Sequence, residues 1–293
     1  MTKLITIVIK KQANGIRRRW LCTAPNLESN FMSYDDLILE HRGPVSWLYF
    51  NRPQALNAIS IACMGELREA LIELRDREET RVIVLSGKGR AFCAGADLTG
   101  ALPDPTAPPS LKKGFADVAT EMEVVFSALT KPVIAALNGI TCGGGLEMAL
   151  MCDFMVATES AKIGDAHANF GAMPGGGATV RLPRVVGPSM AKFLMFTGEL
   201  LLAPQMLEIG LVTRVFKDDA FEGEVQALAE KIAGKSPLGL ARMKSLIDDG
   251  FDMPTGMALK LEKLVSARHM LSFDATEGGK AFGEKRKPVF RGY

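Results

Sequence analysis

Two hydrophobic rhythms alternate along this chain. Between residues 37 and 50, apolar and β-branched positions crowd into two short runs separated by Gly43-Pro44, which predicts two strands joined by a hairpin turn. Beyond Asn51-Arg52-Pro53 the spacing changes. Met64, Leu67, Leu71 and Leu74 recur at helical intervals, with Glu66, Arg68, Glu73 and Arg75 on the other faces. The run 82–85 (Val-Ile-Val-Leu) is then unbroken, as a strand buried on both sides requires.

The same succession returns downstream. A Gly-rich loop (88–100) and a stretch holding Pro103, Pro105, Pro108 and Pro109 lead into a predicted helix over 111–129. A second buried strand is predicted over 132–137, then Gly143-Gly144-Gly145 opening a helix, then a third strand over 154–157. Short apolar strands alternating with helices predict an α/β fold with crossover connections. From about residue 220 the strand pattern stops, and helices are predicted over 220–233, 237–248, 254–272 and 275–286. The expected organisation is an N-terminal extension (1–31), an α/β core (32–219) and a C-terminal helical region (220–293).

Composition narrows the class. With 293 residues, 47% hydrophobic and 23% charged, the chain has ample core-forming material and is no disordered or collagen-like polymer. No apolar run reaches the roughly 18 residues of a membrane span, so no membrane partner is expected. The net charge of +2 argues against nucleic acid as the main partner. That charge is uneven: Lys3, Lys10, Lys11, Arg17, Arg18 and Arg19 face only Glu28 in the first 31 residues, a balance of +5, which leaves −3 on the rest. An Arg-rich, acid-poor start fits an organellar transit peptide, which would place the protein in an organellar matrix. The plainer reading is an overlong start, because the regular pattern opens at Met32. The five cysteines are scattered without a CxxC pair, so neither a zinc site nor a disulfide framework is expected, and the compartment is reducing, with the cytoplasm as default.

Candidate chemistry lies where Gly-rich loops follow buried strands. The loops are Gly87–Leu98 and Asn138–Ala149, and neither has the spacing of a phosphate loop or a dinucleotide fingerprint. A helix opening near Gly144 leaves its first N–H groups unpaired, and one N–H from each loop converging on a point would hold a developing oxyanion. Against this stands the reading that the glycines only permit tight turns. Glu147, three residues into that helix, either complements the helix dipole or moves a proton beside those donors.

The segments Asn51-Arg-Pro-Gln-Ala-Leu-Asn-Ala58, Ala91-Phe-Cys-Ala-Gly-Ala-Asp97, Gly143-Gly-Gly-Leu-Glu147 and Gly171-Ala-Met-Pro-Gly-Gly-Gly177 resemble the enoyl-CoA hydratase/isomerase (crotonase) family in order and spacing. Thr197-Gly-Glu and Glu284-Lys-Arg-Lys-Pro-Val-Phe290 fit too, so the resemblance spans about 34–290. It implies a superhelix of repeated ββα turns with a C-terminal helical trimerisation region, assembled as a trimer or dimer of trimers. It implies an acyl-CoA thioester substrate, with no cofactor beyond the coenzyme A of that substrate. By position, the N–H groups of Ala96 and Gly144 would hold the thioester oxygen. Ala96, Asp97, Leu98 and Thr99 would line the CoA, Ala55 and Leu56 its adenine end, and Lys285 would reach its phosphate, often across a subunit boundary. The Pro-rich stretch and segment 111–126 would shape the acyl pocket.

Glu147 matches the family's first catalytic glutamate, but His167 occupies the place of the second. An imidazole keeps an acid–base group there while changing its charge and pKa range. Asp165 is close enough in sequence to orient the ring or to act itself. The leading expectation is hydration of a 2-enoyl-CoA. The alternatives are isomerisation, decarboxylation or ring-opening C–C hydrolysis on the same fold, or an impaired acyl-CoA-binding paralogue. His41 and His269 read as surface or packing residues, and no ligand cluster suggests a metal.

Overall fold

The hairpin forms where the pattern puts it: β1 (Leu37–Arg42) pairs antiparallel with β2 (Val45–Phe50) around Gly43 at φ +60. These features come from a computed structural model that describes residues 34–97 and 115–293. The N-terminal extension (1–31), Leu98, Thr99 and the Pro-rich stretch therefore lie outside the described residues. Tyr34–Tyr293 form one compact unit.

Behind β2, four strands add in parallel: β3 (Val82–Gly87), β5 (Val133–Leu137), β7 (Phe154–Thr158) and β10 (Arg214–Phe216). They complete a six-stranded sheet in the order β1-β2-β3-β5-β7-β10. Alternate residues of these strands face opposite sides. On one side Leu48, Phe50, Ile83, Leu85, Val133 and Ala135 pack in one core with α1 (Ile61–Asp76) and α2 (Phe115–Ser127). On the other, Trp47, Val84, Ile134 and Val156 meet α7 (Phe221–Ala233) through Phe221, Val225 and Ala229. Both faces are dry, which is why the central strands read as unbroken apolar runs.

A second, four-stranded sheet lies inside the stretches that the pattern reads as loops. β4 (Ala91–Cys93), β6 (Ile140–Cys142), β8 (Lys162–Gly164) and β9 (Leu201–Leu202) pair in that order. Strands of two or three residues have no period to detect. Each of β4, β6 and β8 follows a strand of the large sheet within a few residues, giving the repeated ββα turn. The third repeat runs on through a 3-10 turn (His167–Phe170), α4 (Ala178–Val186), α5 (Pro188–Thr197) and α6 (Ala203–Glu208).

After α7 come α8 (Pro237–Phe251), α9 (Thr255–His269) and α10 (Phe273–Gly283). Ser236 and Ser272 cap α8 and α10 by accepting from the N–H of Gly239 and Ala275. The cap at Ser272 also explains why α9 stops at His269, short of the expected 272. α8 runs three residues beyond the expected 248, through Asp249 and Gly250 to Phe251. Among the described residues, no helix is long and apolar enough to cross a membrane.

Candidate active site

The short sheet brings the two Gly-rich turns together at its end. β4 and β6 pair in parallel, so the chain leaving β4 at Ala94–Asp97 runs beside the chain leaving β6 at Gly143-Gly144. The first of these turns is held from outside by the segment 52–59. The Ala94 N–H donates to Leu56 O at 3.0 Å, Ile59 N–H to Gly95 O at 2.8 Å and Asp97 N–H to Ile59 O at 2.9 Å. Arg52 reaches across, donating to Ala58 O at 2.7 Å and to Asp97 Oδ2 at 3.0 Å. Because Gly95 O and Asp97 N–H both face Ile59, the intervening Ala96 N–H points the other way.

That other way is toward Gly144. A Cβ built on Gly144 would lie 3.5 Å from the Ala96 nitrogen, and one on Gly95 would lie 3.3 Å from the Gly144 nitrogen. Gly143, at φ +54, makes the turn that opens α3 (Gly144–Leu150). Its own N–H is tied to Asp165 O at 2.7 Å. Among the described residues, neither the Ala96 nor the Gly144 N–H has a hydrogen-bond acceptor. Two unpaired donors thus face one small space.

Glu147, one turn into α3, is buried with 7% of its surface exposed. Its Oε1 accepts from the N–H of Gly176 at 2.7 Å and of Ala178 at 3.2 Å, at the N-terminus of α4. Two backbone donors and the positive end of a helix suit a carboxylate. Oε2 is left facing His167 Nε2 at 3.9 Å, too long for a hydrogen bond. Behind the ring, Nδ1 lies 3.0 Å from both oxygens of Asp165, a side chain 1% exposed. The hydrogen bond to Asp165 holds the imidazole pKa above its ordinary value. Burial opposes this, and the charges of Asp165 and Glu147 add to it.

The structure therefore brings Ala96, Gly144, Glu147 and His167 together, with Asp165 behind the ring. Ala55 ends a 3-10 turn (Pro53–Ala55), and Leu56, at φ +51, sits against Ala94 on the outer side of the same strand end. Leu98 and Thr99 lie outside the described residues. Lys285 is exposed in a left-handed turn at φ +54 after α10 and, among the described residues, is not joined to the site within this chain. His41 bonds Ser46 Oγ at 2.9 Å and His269 meets Arg242 at 3.0 Å, both away from the site. Reading residues alone misses the grip of Gly176 and Ala178 on Glu147. The glycine run 175–177 was its signal, but spacing cannot say which carboxylate such backbone donors will meet.

An α/β superhelix with two backbone donors beside a buried carboxylate and an imidazole points to a class of enzyme, and comparison with known proteins agrees. The family model for enoyl-CoA hydratase/isomerase matches residues 40–293. A crotonyl-CoA hydratase of Syntrophomonas wolfei is 34% identical over 260 residues, 88% of this chain and 99% of that protein. An (E)-benzylidenesuccinyl-CoA hydratase of Thauera aromatica is 35% identical over 258 residues, 87% of this chain and 98% of that one. The crystal structure of an enoyl-CoA hydratase from Bacillus anthracis superposes with a TM-score of 0.81 at 33% identity, covering 88% of this chain and all of that one. The chain belongs to the enoyl-CoA hydratase/isomerase family, and its fold is the crotonase fold.

Proposed function

We propose that this enzyme adds water across the double bond of a 2-enoyl-CoA thioester. The observation that carries the reading is the convergence of the unpaired Ala96 and Gly144 N–H groups with Glu147 and His167. In this reading the thioester oxygen lies between the two N–H donors, which stabilise the enolate as it forms. Glu147 Oε2 takes a proton from water, whose oxygen bonds to the β carbon. His167 Nε2, protonated, gives its proton to the α carbon. The proton on Glu147 then crosses the 3.9 Å gap to Nε2, so that one water has been added and both groups are restored. The raised imidazole pKa supports an acid at this place.

Asp97, Leu98 and Thr99 would run along the CoA and Ala55 and Leu56 beside its adenine, with Lys285 reaching the phosphate from a neighbouring subunit of a trimer or dimer of trimers. A second reading keeps the site but shuttles the proton across a three-carbon unit, isomerising the double bond. It is favoured by the placing of Glu147 and His167 on either side of one gap. Incubation with 2-enoyl-, 3-enoyl- and cyclic β-keto-acyl-CoAs, followed by mass, separates these. Hydration gains one water, isomerisation leaves the mass unchanged, and turnover of none of them would defeat both readings. Glu147→Gln should lower kcat by about 10²–10⁴-fold while acyl-CoA still binds; full activity in that variant would remove the assignment.

A further inference from the structure

The Asp165 side chain takes no part in the exchange just described, yet both of its oxygens are given over to His167. Oδ1 and Oδ2 each lie 3.0 Å from Nδ1, and Oδ1 also accepts the His167 backbone N–H at 3.2 Å. Ala166 stands between them at φ +61, a left-handed step that folds the chain back and lets a carboxylate two residues upstream face the ring. A carboxylate only accepts, so the ring nitrogen against it carries the hydrogen and the other nitrogen turns toward Glu147.

We propose that Asp165 is a positioning residue, which fixes the Nδ1–H tautomer and the tilt of His167 so that Nε2 alone exchanges the proton opposite Glu147. This rests on the acid–base reading of Glu147 and His167. Its consequence is a charge inventory. With the imidazole protonated, the three groups carry two negative charges and one positive, with one proton free to move. Two carboxylates sharing one proton hold the same net charge and the same mobile proton. Asp165 thus supplies the negative charge that exchanging a carboxylate for an imidazole takes away. The other groups around the ring leave this unchanged. Glu147 faces it from α3, and the Cys142 thiol on β6 is pushed up by burial and by Asp165. α5, packed against the 3-10 turn, carries Lys192 as its one charged residue, and that side chain is exposed.

The native full-length chain, labelled with ¹⁵N-histidine, tests the tautomer directly by NMR, with His167 identified by the signals lost in His167→Ala. Above the ring's titration a protonated Nδ1 and a bare Nε2 are expected, and the opposite tautomer overturns the proposal whether or not any variant folds. Asp165→Asn should lower kcat about a hundredfold with little change in KM and shift the basic limb of the pH–rate profile to lower pH. Asp165→Glu should recover part of both. In a His167→Ala background Asp165→Asn should cost nothing more, because it acts through the ring; an equal further loss, or an unmoved pH limb, overturns the role. Hydration unimpaired in both Glu147→Gln and His167→Ala would instead remove the acid–base reading beneath it.

Discussion

A carboxylate gripped by two backbone donors at one oxygen can only pivot about that oxygen, so whatever touches the other oxygen controls the chemistry of Glu147. Gly176 does. A Cβ added there would stand 3.0 Å from Oε2 and 3.1 Å from Cδ, closer than side chains ordinarily pack. Gly176 is not among the positive-φ glycines, so alanine fits its backbone and the strain falls on the carboxylate. Gly176→Ala should therefore lower kcat by roughly tenfold or more through misplacement alone, with thermal stability nearly held. Steady-state kinetics beside a melting curve would check this, and an unchanged kcat would show that Oε2 need not be where it is. At His167 the sign of the pH dependence follows from the raised pKa. A raised pKa keeps the proton on Nε2 to higher pH, so an acid there stays competent through the ordinary imidazole range and fails only above it. The kcat profile should fall on its basic side above that range, and His167→Ala should abolish the limb along with most of the rate.

At the scale of elements, the site depends on how closely α3 approaches β4. A Cβ on Gly145 would lie 2.2 Å from Cys93 O and 2.8 Å from Cys93 Cβ, and the first of these neighbours is backbone that has no rotamer to change. Gly145→Ala must push α3 off the short sheet. Overpacking of this kind costs about 1–3 kcal/mol, or roughly 2–4 °C of Tm per kcal/mol in a chain this long. Because Gly144 moves with its neighbour, activity should fall as well, which calorimetry and kinetics on one preparation would show; a variant with native Tm and rate would mean that β4 yields easily. This contact also marks the limit of what the residues reveal. Five strands of the large sheet were legible because they are five or six residues long and the central ones are buried on both faces, whereas β10 (Arg214–Phe216), three residues long and partly exposed, left no such pattern. The Glu147 turn was legible from its glycines. The short sheet was not, since Ala91–Cys93 and Ile140–Cys142 are too brief for any periodicity and owe their pairing to the strands before them. The departure at His167 was visible as a residue, and Asp165 as a group that could orient the ring or act itself. The geometry that turns both Asp165 oxygens to Nδ1 rests on the left-handed step at Ala166, which alanine does not advertise.

For the molecule as a whole, the helical tail poses a question of burial that one chain does not answer. α9 buries no residue in its fifteen, and α8 buries only Gly239. Their sequences are not polar to match: Ile247 is 68% exposed and Leu264 71%, with Met243, Phe251, Met257 and Leu259 exposed beside them. A helix draws most of its stability from an apolar face packed against something, and soluble monomers rarely leave so many large apolar side chains of two helices wet. A closed homo-oligomer, the trimer expected of the tail, would cover that surface by setting the same face of each copy against its neighbours. Light scattering on the native chain should give a multiple of three protomers. Leu264→Asp, which adds a charge to a site that tolerates it only in water, should shift the mass toward the monomer. If Lys285 serves a neighbour's CoA, the same variant should weaken acyl-CoA binding although it alters nothing near Glu147. A chain begun at Met32 should keep both assembly and rate, because the compact unit opens at Tyr34. A native monomer would leave the apolar tail unexplained and remove the trimer, whereas a trimer that survives Leu264→Asp would move the interface to another face of the same helices.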